Sequence, residues 1–207
     1  MAAVPVLQCR LRDDLIPDTR FISLMNTKEE IIAALNGENR TLPPPAVFTQ
    51  TATVGQMRAC GCAWPEANYD AAKMAELALQ MHRQFGFATA RVPFCLTTES
   101  ERLGCQVDRG TADRQPMVRG TPYCSGDIPE VPPLLDPEEF AAGGRCAVVR
   151  AAAELLRKEA PDVFVTAALL DPLALTCQLL GTENFLMGLM MAPERAAAWT
   201  AAVEPLQ

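Results

Sequence analysis

Phe87-Ala88-Thr89-Ala90-Arg91-Val92-Pro93-Phe94-Cys95-Leu96-Thr97 decides how the rest of the chain reads. An apolar, β-compatible run is stopped by a proline, which cannot donate to a strand ladder, and it empties into small polar residues that open a helix. The pattern occurs twice more. Ala46-Val47-Phe48 ends in Thr49, Thr51 and Thr53, and Asp162 to Leu170 ends in Asp171-Pro172. Strands that deliver the chain to one face, with chemistry in the loops beyond, are how barrel and open-sheet enzymes build pockets.

Helices lie between these runs. Thr27-Lys28-Glu29-Glu30 is a capping box before an apolar stripe at Ile31, Ile32 and Leu35. Thr53 caps a helix over Val54 to Cys60. Residues 74, 77, 78, 81 and 85 lie on one face of a helix from Asp70 to Phe85. Thr97 or Thr98 opens a helix ending at Gly104, and Cys105 to Asp108 is a short extended piece. The Gly- and Pro-rich stretch 109–136 is a long excursion of the kind that forms a lid or a functional loop. Pro137 to Glu159 is helical and restarts at Gly143-Gly144, and three more helices follow from Leu173, Thr182 and Ala192. Three strand–helix units in alternation predict an α/β protein with a parallel sheet. Residues 1–26 show no period and read as an N-terminal extension, leaving 27–207 as the folded part.

The 207 residues carry a net charge of −7 and no run of more than two adjacent cations, which argues against nucleic acid or an anionic membrane as partner. No apolar run approaches the roughly 20 residues of a membrane span. Met1 to Leu7 leads directly into Arg10, Arg12, Asp13 and Asp14, with no hydrophobic leader. The expected location is the cytoplasm, with most of the eight cysteines serving as small buried hydrophobes. Cys60-Gly61-Cys62 has metal-like spacing but no further ligand nearby in sequence, and His82 sits mid-helix among apolar neighbours.

Thr49-Gln50-Thr51, Trp64-Pro65-Glu66-Ala67, Pro93-Phe94-Cys95-Leu96-Thr97 and Arg114-Gln115-Pro116, in that order, resemble the methylcobalamin:coenzyme M methyltransferase group of the uroporphyrinogen decarboxylase-like superfamily. The resemblance runs from about Thr27 to the C-terminus. It implies a TIM-type (β/α)8 barrel, a methylated cobalamin carried by a partner corrinoid protein, and a small thiol such as coenzyme M, or a pterin, as acceptor. It also implies a zinc that makes the thiol a thiolate, held by a His-x-Cys pair and a further Cys in the later half of the barrel. His82, the only histidine, has no Cys two residues on, so the zinc ligands are absent from this chain. Three units are too few to close a barrel of eight. The chain thus reads as the N-terminal part of an incomplete barrel, inactive alone, with an open edge that invites self-association.

The residues expected to shape the substrate pocket are Thr49, Gln50 and Thr51 after the first strand, and Cys95 and Glu99 after the second. Arg114 and Gln115 on the excursion would meet an anionic acceptor, and Asp171 follows the third strand. Uroporphyrinogen decarboxylase itself is an alternative, but it carries an arginine-rich segment where Thr49 to Thr53 stand here. A non-catalytic homologue that binds a partner is the other alternative.

Overall fold

The computed structural model describes residues 28–38, 45–49, 52–124 and 126–207. Helix α1 (Lys28–Leu35) is tied to the start of the last strand by Lys28 N–H donating to the Asp162 carbonyl at 2.8 Å. The capping residue expected for it, Thr27, lies outside the described residues, as do Gln50 and Thr51. Helix α2 (Val54–Cys60) has the capping box expected: Thr53 Oγ1 accepts from Gln56 N–H, and the Gln56 side chain accepts from Thr53 N–H. A 3₁₀ turn follows at Glu66–Asn68.

The helix expected from Asp70 to Phe85 is two helices, α3 (Ala71–Ala78) and α4 (Gln80–Phe85), hinged at Leu79. Neither glycine nor proline marks the break. Leu79 is itself 2 % exposed, and α3 and α4 bury different residues, Met74, Leu77 and Ala78 on one and Gln80 on the other.

Strand β1 (Thr89–Val92) pairs in parallel with β4 (Phe164–Ala167), Thr89 opposite Phe164 and Val92 opposite Ala167. Side-chain alternation sends Ala90 and Val92 into the core and Thr89 and Arg91 to the other face. Ala46 to Phe48, expected as a strand, is not one. It lies against β1 through Val47 N–H donating to Thr89 Oγ1 at 2.9 Å and Ala88 N–H to the Pro45 carbonyl at 3.3 Å. A side-chain oxygen occupies the place of a ladder bond, so no regular pairing develops. Phe48 meets Phe164 edge-on, with ring centroids 6.3 Å apart.

Between the parallel strands come α5 (Thr98–Arg102) and an antiparallel hairpin of β2 (Gln106–Asp108) and β3 (Met117–Gly120). The excursion expected as a lid or functional loop is thus in part a hairpin. Gly110, at φ +76°, turns it where a Cβ would stand 2.2 Å from the Arg114 carbonyl oxygen. Helices α6 (Pro137–Ala142) and α7 (Gly144–Glu159) are separated at Gly143-Gly144 as the sequence predicts, and α8 (Pro172–Leu180), α9 (Thr182–Met191) and α10 (Pro193–Val203) close the chain.

Two apolar clusters result. In the first, Met74, Leu77 and Ala78 of α3 meet Ala90 and Val92 of β1 and Val149, Ala152 and Leu156 of α7. The second gathers Leu175, Leu179, Phe185, Ala196 and Trp199 from α8 to α10, with Ile128 from the excursion. Two neighbouring parallel strands with helices packed on their outer side are part of the wall of a (β/α) barrel. Among the described residues no helix is long and apolar enough to cross a membrane.

Candidate functional site

The loops beyond β1 and β4 meet at the carboxyl ends of the strands. Pro93 turns the chain into Phe94, Cys95 and Thr97, and α5 then presents Glu99, which is 2 % exposed. Glu99 Oε1 accepts from Leu170 N–H at 2.9 Å, so one carboxylate clamps the β4 loop to the β1 loop. Asp171, the next residue, is exposed and caps α8 by accepting from Ala174 N–H at 2.9 Å.

Arg145 at the start of α7 is the centre of a second set of contacts and is almost wholly buried. Its Nη2 donates to Cys95 Sγ at 2.6 Å; its Nη1 donates to Thr97 Oγ1 at 3.1 Å and to Glu101 Oε2 at 2.7 Å. Burial pulls the Arg145 pKa down, but Cys95 and the Glu101 carboxylate outweigh it and the net shift is upward. Tyr69 donates its hydroxyl to Glu101 Oε1 at 3.1 Å and carries the guanidinium groups of Arg109 and Arg145 against its ring at 3.8 and 5.0 Å. Burial, then Glu101, raises the Tyr69 phenol's pKa against the opposing pull of both arginines. Tyr69, Glu101, Arg102, Gly144, Arg145 and Val148 enclose a recess of about 360 Å³. Three guanidinium groups against one carboxylate make this corner cationic, which suits an anion with a compact head.

Arg102 has another task. It donates to the carbonyls of Glu139 at 3.0 Å and Phe140 at 3.3 Å, closing the end of α6, and its guanidinium lies where a side chain on Gly143 would stand.

Of the expected pocket residues, Cys95 lies against the Arg145 guanidinium and Glu99 binds the β4 loop at Leu170, while Asp171 is an exposed helix cap. Thr49 is exposed in a turn, and Gln50 and Thr51 lie outside the described residues. Arg114 and Gln115 are exposed on the hairpin, where Arg114 pairs with Asp108 at 2.7 Å. That bond, with the Gly110 N–H, holds the Asp108 carboxyl down to about 2. Arg145 was not singled out from the sequence, although a signal was present: it stands four, seven and eleven residues before Val149, Ala152 and Leu156, on the buried stripe of its helix. A guanidinium on such a stripe must be paired.

The zinc that the resemblance implies finds no fit here. Among the described residues no three His, Cys, Asp or Glu side chains group as metal ligands. His82 Nδ1 is 2.9 Å from the Phe87 carbonyl oxygen, and the Cys60 and Cys62 thiols face each other's backbone carbonyls. Burial, then the neighbouring Cys60, raises the Cys62 pKa, the opposite of what a thiolate ligand needs.

A family model described as uroporphyrinogen decarboxylase (URO-D) matches residues 26–204. The methylcobamide:CoM methyltransferase MtaA of Methanosarcina barkeri is 32 % identical over 170 residues, 80 % of this chain and 48 % of that protein. The methylcobamide:CoM methyltransferase MtbA of Methanosarcina acetivorans is 47 % identical over 91 residues, 44 % of this chain and 27 % of that protein. A solved structure of a methyltransferase from Methanosarcina mazei superposes with a TM-score of 0.78 at 32 % identity, covering 86 % of this chain and 52 % of that one. The chain therefore spans about half the length of relatives such as MtaA.

Proposed function

This chain belongs to the uroporphyrinogen decarboxylase (URO-D) family, and from that premise we propose that it forms one wall of the substrate site in a corrinoid-linked methyltransferase. The methyl group would come from a methylated cobalamin on a partner corrinoid protein and go to a small anionic thiol such as coenzyme M. The names of the relatives support the reaction class. The observation that carries the substrate reading is the buried Arg145, which brings cationic character to the mouth of β1 beside Arg109 and Arg102.

In this reading the chain's own residues bind and orient. Arg145 and Arg109 attract the acceptor's anionic tail by charge-assisted contact. Cys95 and Thr97 shape the floor beneath it, and Glu99 keeps the β1 and β4 loops in register. Thr49, Gln50, Thr51, Arg114, Gln115 and Asp171 are proposed as further substrate-binding residues. We assign this function to residues 27–207, with 1–26 as an N-terminal extension that takes no part in it. Among the described residues no donor set fits the zinc that would make the acceptor a thiolate, so the chain's own part in the reaction is binding and orientation.

Calorimetric titration with 2-mercaptoethanesulfonate tests this, with ethanethiol as the control lacking the anionic tail. The sulfonate should bind saturably, ethanethiol should not, and Arg145→Met should weaken the sulfonate at least tenfold. Equal affinity for the two thiols would overturn it.

A further inference from the structure

A second cavity lies on the helix side of the same strand ends, about 340 Å³ in volume, near the lower end of the ~300–1,000 Å³ typical of small-molecule pockets. Pro93, Phe140, Val149, Ala153, Ala167 and Leu169 make it largely apolar. Two adjacent residues of α5 interrupt that lining, Thr98 and Glu99, 3 % and 2 % exposed. Glu99 Oε2 and Thr98 Oγ1 are both buried, and neither finds a hydrogen-bond partner among the described residues. Such groups are costly to leave unmet: an unsatisfied buried polar atom costs ~1–3 kcal/mol, and more when it is charged. The other Glu99 oxygen is already fixed by Leu170 N–H, so the carboxylate cannot swing away without breaking the loop clamp.

We infer that this cavity binds a small molecule with an apolar body and a cationic, hydrogen-bond-donating head such as a primary ammonium. The head would donate to Glu99 Oε2 and Thr98 Oγ1 while the body packs on Phe140, Val149 and Ala153. A carboxylate oxygen accepts but does not donate, so an anionic ligand would repel it. The one guanidinium that lines the cavity, Arg150, is exposed and makes no bond to Glu99 in the structure. The Cys146 thiol beside the carboxylate is pushed up to about 11, first by burial and then by Glu99, so it stays neutral and Glu99 is the buried charge of the cavity. The buried charge of this cavity is the Glu99 carboxylate, with Arg150 at its exposed edge, whereas the buried charge of the other recess is the Arg145 guanidinium, and the inference does not rest on the methyl-transfer reading.

The probes are benzylammonium, benzyl alcohol and benzoate, titrated against the full chain by calorimetry and ligand-observed NMR. Benzylammonium should bind saturably, benzyl alcohol more weakly, and benzoate not at all. Glu99→Gln keeps an acceptor for Leu170 and should weaken benzylammonium about tenfold or more. Ala141→Leu, which narrows the cavity and leaves Glu99 intact, should also reduce binding, with circular dichroism confirming that both variants fold. No saturable binding to the wild type, undiminished binding to Glu99→Gln, or benzoate binding as well as benzylammonium would each overturn the inference.

Discussion

Replacing Arg145 by methionine removes the contact that joins three segments of the chain: α7, the loop after β1, and α5. The bond to Thr97 is neutral on one side and worth ~1 kcal/mol. The pair with Glu101 would be worth ~3–5 kcal/mol if both partners were buried. The Glu101 side chain is 30 % exposed, however, so solvent reduces it to ~1 kcal/mol. The sulfur contact and the approach to the Tyr69 ring add ~1 kcal/mol together. Against these, Arg145 Nε is buried with no partner among the described residues, and relieving that returns ~1 kcal/mol. The net loss is ~2 kcal/mol, read as a fall in urea midpoint or as ~4–8 °C in Tm for a chain of this size. Arg145→Lys should recover little of it, since a single ammonium cannot reach Cys95, Thr97 and Glu101 together. A loss below ~0.5 kcal/mol, or full recovery by lysine, would refute the reasoning that this guanidinium ties the three segments together.

Three other outcomes follow from the packing and the charges. Trp199→Ala should cost ~3–5 kcal/mol in chemical denaturation, because the indole is fully buried, donates to the Pro129 carbonyl at 2.8 Å and lies 4.8 Å from the Tyr123 ring. Gly188→Ala should destabilise by ~1–3 kcal/mol despite alanine's helical advantage. The new Cβ would stand 1.8 Å from Ile128 Cδ1, and Ile128→Val in the same chain should recover part of the loss. The folded pKa of Asp108, about 2, lies below the ~3.9 of an unfolded aspartate. Its contribution to stability is therefore complete above about pH 4 and lost as pH falls towards 2, and Asp108→Asn should remove that part of the acid dependence of Tm.

Punctuation and periodicity made much of this fold legible. Pro93 ends β1, Gly143-Gly144 restarts the helix, Thr53 caps α2, and the apolar faces of α3 and α7 meet over β1 as their spacing requires. Two features escaped for physical reasons. The hinge at Leu79 carries no glycine or proline and is set by what each helical half packs against. Ala46 to Phe48 has strand composition, but its pairing partner beside β1 is the Thr89 hydroxyl rather than a backbone ladder. Cys95 and Glu99 were expected near the site because they follow a strand, and they stand on the loop and helix directly after β1. Arg145 was hidden because a cation at a helix start reads as solvated, although its place on the stripe of Val149, Ala152 and Leu156 pointed inward. Arg114, prominent in the sequence, is engaged by Asp108 on the hairpin.

Under the proposed function, the recess at the mouth of β1 receives an anionic thiol rather than a tetrapyrrole such as the substrate of the decarboxylase that gives the family its name. Parallel titrations of the chain with 2-mercaptoethanesulfonate and with uroporphyrinogen, each repeated on Arg145→Met, test it most directly. The thiol should bind saturably, Arg145→Met should weaken it at least tenfold, and the tetrapyrrole should give no saturable response. Saturable uroporphyrinogen binding, with no response to the thiol, would contradict it.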